Sequence, residues 1–309
     1  IKFKNFLNVK HCISTNNGTD ALILSLKSLG VGHGDQVITV TNTFYATVGA
    51  IVAVGATPVL VDCDDRYQIN VNEVEKAITN KTKAIIPVHW GGASPDIERI
   101  MEIASENNLF VIEDACMGIG ALVNKKSPGT FGDVNAFSMH PLKSLNVMGD
   151  GGMVVTNNDD LADWMKKYRN HGMINRDNIE FWGVNMRLQP LQAVVASHRL
   201  DELKKTIEKR NENAEYLDYH LNKISDHVQI PLRIKANVET FALYMGLFNE
   251  RDKLKEFLLS NNIEVKIHYP IPLHKQKAAK NNCLFSYDLS VSESQAKRLL
   301  TIPVHQFLG

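Results

Sequence analysis

The sequence predicts an α/β fold with a large N-terminal domain built on a mostly parallel sheet, followed by a smaller C-terminal α+β domain. Three observations predict this fold. Short apolar, β-branched runs alternate with amphipathic helical patterns through the first half of the chain. Such alternation is typical of βαβ units, whose strands are parallel and buried on both faces. A long helical stretch then ends the alternation, and shorter mixed elements follow it.

Six runs in the first half are predicted strands because they are short, apolar and β-branched. They are Gln36–Val40, Thr57–Asp62, Lys83–His89, Leu109–Ala115, Val134–Met139 and Gly152–Thr156.

Amphipathic stretches between these strands are predicted helices. Asp96–Asn108 places Ile97, Ile100 and Ile103 near one face, and Val71–Thr79 has a similar pattern. A helix between consecutive strands returns the chain to the same edge of the sheet, so the strands are expected to be parallel.

The pattern changes after the last of these strands. Leu188–Ile224 is predicted to be helical, with an early bend or interruption at Pro190. Beyond it, Val238–Phe248 is a predicted strand, Glu250–Asn261 a predicted helix and Glu264–His268 a predicted strand.

Chain length and charge limit the classes of protein. The 309 residues suit one large domain or two unequal ones, and we expect domains at 1–200 and 201–309. With 34 basic and 34 acidic residues, the charge gives no argument for a nucleic-acid or membrane partner. No apolar run approaches the roughly 20 residues that span a bilayer.

The compartment expected from these features is the cytoplasm. The start, Ile1–Lys4, lacks the apolar core of a signal peptide. The cysteines are scattered and form no CxxC pair, so we expect reduced, mostly structural thiols and no metal site. They are Cys12, Cys63, Cys116 and Cys283.

The first candidate site is a run of small polar residues, Ser14–Asp20, that leads into a helix containing Leu22 and Leu26. A helix N-terminus presents unpaired N–H groups that suit a phosphate, and Gly18 would allow close approach of the backbone. An ordinary capped helix is the alternative interpretation.

The second candidate is the carboxylate pair Glu113 and Asp114 at the end of an apolar strand. Sites in open α/β sheets form beyond the carboxyl ends of the strands. An acid there could bind a metal, orient a base or pair with a protonated ring nitrogen, whereas a solvated strand end is the alternative.

The third candidate follows the strand Val134–Met139, where Ser138, His140 and Lys143 precede the Gly-rich turn Gly149–Gly152. A lysine amine in a partly desolvated pocket has a lowered pKa and can form a Schiff base with a carbonyl. The alternatives are a surface lysine and a structural histidine.

A fourth, weaker signal is the loop Gly183–Leu188, which contains Asn185 and Arg187. Such side chains in a Gly-containing loop could contact an anion or a neighbouring subunit.

Taken in order, these segments resemble the DegT/StrS family of pyridoxal-phosphate (PLP) dependent sugar aminotransferases. The similarity runs from about residue 3 to the last residues. It implies the aspartate-aminotransferase fold, in which a large PLP-binding domain carries a mostly parallel, seven-stranded sheet. It also implies that both domains are incomplete here, because the chain begins inside the family's usual first helix and stops soon after Thr301–His305.

The resemblance implies a role for each cofactor contact in the first part of the chain. The segment Asn17–Leu22 looks like the family's phosphate-binding helix start, which implies Gly18 and Thr19 as phosphate contacts. Phe44 would stack on the pyridine ring, and Asp114 would pair with the pyridinium nitrogen.

Further along, Ser138 matches the family's phosphate-binding serine and Lys143 its Schiff-base lysine, five residues later. Asn185 matches the asparagine that reaches the cofactor phosphate of the other subunit. Met117 departs from the family, which often has Gln or His near the cofactor's 3-oxygen, since a thioether is a poor hydrogen-bond partner.

Substrate contacts are implied less directly. The segment His268–His274 resembles the family's substrate-side segment, so His268 and Tyr269 are candidates together with His140 and Arg187.

The predicted function is therefore a transaminase of the EC 2.6.1 class, with PLP as cofactor. It would move an amino group from an amino acid, glutamate by resemblance, to a keto sugar that is nucleotide-linked. The product would serve cell-surface polysaccharide, such as lipopolysaccharide, or amino-sugar biosynthesis. The expected assembly is a homodimer with shared active sites.

The substrate class has a second argument. Small aminotransferases hold the second carboxylate of a dicarboxylic substrate with a dedicated arginine. The C-terminal third has no arginine in the segment 268–274 and only four elsewhere. These four arginines are expected to be solvated. They are Arg210, Arg233, Arg251 and Arg298.

Three alternatives come from different classes. A PLP-dependent sugar dehydratase of the same family would have histidine in place of Lys143, although His140 lies close by. A non-enzymatic protein that senses PLP or an amino sugar would not need the set Asp114, Ser138, Lys143 and Asn185. A Rossmann dehydrogenase is disfavoured because no GxGxxG follows the first strand.

Overall fold

The computed structural model describes residues 1–308. The strands are β1 (His11–Thr15), β2 (Gln36–Val40), β3 (Thr57–Val61), β4 (Thr82–Ile86), β5 (Phe110–Val111), β6 (Asn135–Ser138), β7 (Gly152–Thr156), β8 (Val228–Gln229), β9 (Tyr244–Phe248), β10 (Leu284–Phe285) and β11 (Leu299–Ile302). The helices are α1 (Lys2–Leu7), α2 (Gly18–Ser28), α3 (Tyr45–Ala53), α4 (Val71–Lys76), α5 (Ile97–Glu106), α6 (Asp159–Tyr168), α7 (Pro190–Leu221), α8 (Arg251–Ser260) and α9 (Ser290–Arg298).

The central sheet is parallel, as predicted, and has the strand order β10-β3-β2-β4-β5. A second sheet, β1-β7-β6, is antiparallel. Asp114 lies between the two sheets because it forms isolated parallel bridges to Val88 and to Ala136. The parallel sheet and this antiparallel sheet thus meet at Asp114.

The parallel sheet is covered on both faces, which explains its apolar strands. On one face Ile38 and Ile85 pack with Ile100 of α5. On the other face Val37 packs with Leu22 of α2. Alternate residues of β2 therefore enter different core clusters.

The predicted fifth strand is shorter than expected. Only Phe110–Val111 forms a regular strand, and Asp114 continues its direction through single bridges. The first strand of the fold, His11–Thr15, was not predicted; it pairs with β7 at the edge of the antiparallel sheet.

Pro190 begins the long helix and does not bend it, which corrects the prediction. Proline suits the first position of a helix because its missing N–H would have no partner there. Gln189 and Gln192 complete a capping box around this start.

One predicted strand of the C-terminal part is wrong in extent. Of Val238–Phe248, only Tyr244–Phe248 is a strand, because Thr240 and Leu243 donate their N–H groups to the loop at Gly91 and Gly92 instead.

The predicted strand Glu264–His268 does not form. Within it, only Lys266 exchanges backbone hydrogen bonds, with Thr301 of β11. The third sheet of the structure, β11-β9-β8, is antiparallel and includes two strands that were not predicted, β8 and β11.

No helix within residues 1–308 combines the length and the apolar character needed to cross a membrane. The four cysteines are free thiols, and burial raises the pKa of both Cys12 and Cys63 to about 12.

Candidate active site

A cavity of about 510 Å³ opens at the carboxyl ends of the parallel strands. This is where ligand sites form in open α/β sheets, and the volume suits a small organic ligand. Ten of the predicted site residues line it, namely Gly18, Thr19, Phe44, Asp114, Met117, Ser138, His140, Lys143, His268 and Tyr269.

The start of α2 and the end of β6 form one end of this cavity. Asn17 caps the helix by accepting a hydrogen bond of 2.7 Å from the backbone N–H of Asp20. A Cβ atom on Gly18 would lie 2.7 Å from Cβ of Ser138, so only glycine fits. The N–H groups of the first helical turn therefore lie beside the Ser138 side chain, without a side chain at Gly18 to cover them.

Asp114 is almost completely buried, with 5% of its surface exposed, so it is not a solvated strand end. Its Oδ2 atom accepts a hydrogen bond of 2.8 Å from Thr47 Oγ1, and its Oδ1 atom accepts one of 3.2 Å from the backbone N–H of Cys116. These two donors hold the carboxylate in one orientation.

Glu113 is fully buried and forms a different network, with His89 as its side-chain partner. His89 Nε2 lies 2.8 Å from one carboxylate oxygen. The backbone N–H groups of Gly129, Phe131 and Gly132 also donate to this carboxylate. Glu113 thus fixes a loop away from the cavity, a role for which the sequence carries no local signal.

Lys143 is half-buried and lines the cavity just after a turn in which its backbone N–H donates to the His140 carbonyl, at 2.8 Å. His140 is exposed, and its Nδ1 atom accepts from the N–H of Leu142. Burial and the Asp114 carboxylate raise the pKa of the neighbouring Cys116 thiol well above its ordinary value, and the Lys143 charge opposes this.

Aromatic rings form another wall. Tyr269 packs against Trp90 and Phe44, with ring centroids 5.7 and 6.4 Å apart. Burial raises the pKa of Tyr269 to about 12, and burial together with nearby lysines lowers the pKa of His268 to about 4. Both side chains are therefore neutral near pH 7, and both can exchange hydrogen bonds with a ligand.

Met117 also lines the cavity, and its side chain packs on an adjacent hydrophobic core cluster. Its carbonyl accepts a hydrogen bond of 2.7 Å from Thr240 Oγ1.

Two predicted residues lie outside the cavity of this chain. Asn185 and Arg187 are exposed, and Arg187 Nε donates to Asn185 Oδ1 at 3.0 Å. Arg187 also donates to Asn170 Oδ1 at 2.8 Å, so the loop is ordered by its own contacts.

The expectation of solvated arginines is wrong for three of the four. Arg233 pairs with Asp218 and Glu239, Arg210 donates to a backbone carbonyl, and Arg251 is buried. Among the residues that the structure describes, no arginine lines the cavity.

The residues present suit PLP. The helix start and the Ser138 hydroxyl offer donors for a phosphate, and both line the cavity. A buried carboxylate, a half-buried lysine and an exposed aromatic ring share the same cavity. In PLP, the phosphate suits the hydrogen-bond donors, the ring nitrogen suits the carboxylate, the aldehyde suits the lysine and the ring face suits the aromatic ring.

Comparison with known proteins agrees with this geometry. A model of the DegT/DnrJ/EryC1/StrS aminotransferase family matches residues 1–309. A pleiotropic regulatory protein of Geobacillus stearothermophilus is 38% identical, over 97% of this chain and 81% of its own length. A UDP-N-acetyl-3-dehydro-alpha-D-glucosamine 3-aminotransferase of Acidithiobacillus ferrooxidans is 39% identical, over 96% of this chain and 79% of its own.

A solved structure is similar over the whole chain. It is that of DesV from S. venezuelae in complex with a ketimine intermediate, which superposes with a TM-score of 0.94 at 33% identity and is covered over 83% of its length. Sequence and fold thus agree with the cavity, and the chain belongs to the DegT/DnrJ/EryC1/StrS aminotransferase family.

Proposed function

We propose that the protein transfers an amino group from an amino acid to a nucleotide-linked keto sugar, and that the residues lining the cavity carry out this reaction. Membership of the family makes the protein a PLP-dependent aminotransferase. The observation that carries the residue assignment is the convergence of Asp114, Ser138, Lys143 and the start of α2 on one cavity.

Asp114 would pair with the ring nitrogen of the cofactor, since an ionised carboxylate raises the pKa of a neighbouring ring nitrogen. Gly18, Thr19 and Ser138 would bind the phosphate, and Phe44 would cover the ring face. When bound, PLP supplies an electron sink for the bonds at the substrate's reacting carbon.

Lys143 would hold the cofactor until an amino donor arrives. Its Nζ atom would then accept a proton from Cα of the donor and pass it to C4′ of the cofactor. His268 and Tyr269 are neutral near pH 7, so they would orient the substrate by hydrogen bonds and not by charge.

The keto-sugar acceptor is supported by the lining of the cavity. No arginine lines it within residues 1–308, so it lacks the planar cation that recognises a second carboxylate. His140, His268 and Tyr269 instead offer groups that hydrogen-bond hydroxyls. Relatives named as UDP-, dTDP- and GDP-sugar transaminases or synthases support the nucleotide linkage. Glutamate as the donor stays a prediction.

The assembly and domain division also stay proposals. Large apolar side chains near Asn185 are strongly exposed, including Trp182 at 87% and Leu191 at 76%. Exposed apolar side chains of this kind favour association, and a twofold dimer would bring Asn185 to a second active site. We place the domain boundary at residue 200, inside α7, and expect a cytoplasmic location.

The test of function is a half-reaction followed by absorbance. The purified protein should bind PLP and absorb visible light, and an amino sugar nucleotide should convert the cofactor to its amine form. Aspartate should react slowly. Rapid exchange between aspartate and 2-oxoglutarate, with no reaction of any sugar nucleotide, would show an amino-acid aminotransferase instead.

The same assay separates the alternatives. A dehydratase would release water from the sugar without consuming an amino donor. A regulatory protein, a role named for one relative, would bind PLP or amino sugar without turnover. Sedimentation at the assay concentration tests the dimer, and a fully active monomer would contradict it.

A further inference from the structure

The segment from Thr41 to Phe44 connects β2 to α3 and forms part of the cavity wall. Thr41, Asn42 and Thr43 are buried, with at most 2% of each exposed. Thr43 and Phe44 line the cavity. The position of the Phe44 ring therefore depends on how this short segment is held.

His274 holds the segment at its first residue, although 233 positions separate it from Thr41. Its Nδ1 atom lies 2.7 Å from Thr41 Oγ1, and its backbone N–H lies 3.4 Å from the same oxygen. The backbone N–H of Leu273 donates to the Thr41 carbonyl at 3.0 Å. The imidazole is buried, with 7% of the side chain exposed.

The other ring nitrogen of His274 faces helix α9. Nε2 lies 3.1 Å from Glu293 Oε1, and Lys275 Nζ lies 2.7 Å from the same oxygen. Thr41 Oγ1 accepts a hydrogen bond from the backbone N–H of His274, so its own hydrogen can be donated to Nδ1 of the His274 ring. Nε2 then carries the proton and donates to Glu293.

Helix α9 is itself anchored to the large domain. Asp62, which follows β3, accepts hydrogen bonds from the backbone N–H groups of Val291 and Ser292 at 2.9 and 2.8 Å. The imidazole therefore contacts both Glu293, in the first turn of α9, and Thr41, the residue after β2.

We propose that His274 is a positioning residue whose Nδ1 contact with Thr41 fixes the Thr41–Phe44 wall against the cofactor. The inference rests on the proposed function, because it takes the cavity as the PLP site. His274 does not line the cavity, so it acts only through Thr41 and the chain that leads to Phe44.

Two substitutions separate the two nitrogen contacts. The amide of His274→Asn lies near the position of Nδ1 and keeps the contact with Thr41. The amide of His274→Gln reaches the position of Nε2 and keeps only the contact with Glu293. Each variant loses one hydrogen bond, so a purely structural role predicts the same effect for both.

The measurements are the Kd for PLP, by equilibrium dialysis of the full chain, and the visible circular dichroism of bound PLP. His274→Gln should bind PLP about tenfold more weakly than His274→Asn, the factor that corresponds to one hydrogen bond. The dichroism of His274→Gln should also change, while that of His274→Asn should resemble the wild type. Equal Kd values and equal spectra for the two variants would overturn the proposal.

A second pair keeps the test decisive if either histidine variant fails to fold. Thr41→Ser retains the hydroxyl and Thr41→Val removes it, so PLP should bind about tenfold more weakly to Thr41→Val. Equal affinity in this pair would overturn the proposal. Wild-type protein that binds no PLP would instead overturn the proposed function, and with it this inference.

Discussion

Thr47 Oγ1 donates a hydrogen bond of 2.8 Å to Oδ2 of Asp114, and both side chains are buried. Thr47 lies in the first turn of α3, whereas Asp114 lies between the parallel sheet and the antiparallel sheet β1-β7-β6. The hydroxyl therefore joins the carboxylate proposed for the ring nitrogen to the helix that begins after Phe44.

Thr47→Val removes this donor and keeps the shape of the side chain. Because the carboxylate loses one of its two donors, we expect the affinity for PLP to fall about tenfold, as for a hydrogen bond to a charged group. Equilibrium dialysis measures the effect, with Thr47→Ser as the matched control. Unchanged affinity in Thr47→Val would show that the hydroxyl does not orient Asp114.

Lys143 should be the residue that holds PLP covalently. Borohydride reduction of the purified protein should attach the cofactor to the peptide that contains Lys143, because reduction traps a Schiff base. Peptide mass spectrometry identifies the site, and Lys143→Ala should lose at least about 100-fold in turnover. A label on any other lysine would refute the assignment.

Asp114→Asn should fold and bind PLP but lose about 100-fold or more in transamination. The neutral amide no longer favours the protonated ring, so the cofactor becomes a poorer electron sink. Steady-state kinetics and thermal unfolding distinguish a loss of chemistry from a loss of structure. Near-normal turnover would exclude the proposed pairing.

Unlike Asp114→Asn, Glu113→Ala should lower mainly the stability of the protein. It leaves His89 and three backbone N–H groups without their acceptor in the core, so unfolding should become easier by about 3–5 kcal/mol. Urea unfolding measures this loss. Glu113→Gln, which keeps one acceptor oxygen, should lose less, and equal losses would argue against the network.

His268 should make stability depend on pH. Burial, then the charges of Lys266 and Lys143, lower its pKa from 6.5 to about 4. Between these values the unfolded chain binds a proton that the folded chain does not, so stability falls as the pH decreases through this window. Urea unfolding of wild type and His268→Asn should show the wild type losing up to about 2 kcal/mol more between pH 7 and pH 4, a value reduced for partial solvation. Parallel pH profiles would contradict this prediction.

Features that depend on a local pattern could be predicted from the sequence. The strands of the first half were predicted from apolar, β-branched runs, and the parallel strand β2 and the antiparallel strand β7 have the predicted bounds. Ser138 and Lys143 could be placed because Ser138 ends β6 and Lys143 follows five residues later. β6 runs parallel to the segment at Asp114, so the ends of the two meet at one edge. Ten of the predicted residues line the cavity.

The pairing of the polar groups depends on tertiary contacts and could not be predicted from the sequence. Glu113 and Asp114 are neighbours in sequence, yet one binds a loop in the core and the other lines the cavity, because successive side chains point to opposite faces. Pro190 was misjudged because its effect depends on whether the helix has already begun. The contact of His274 with Thr41 joins residues 233 positions apart. Such a pair has no local pattern, since its partner is determined by how the chain packs.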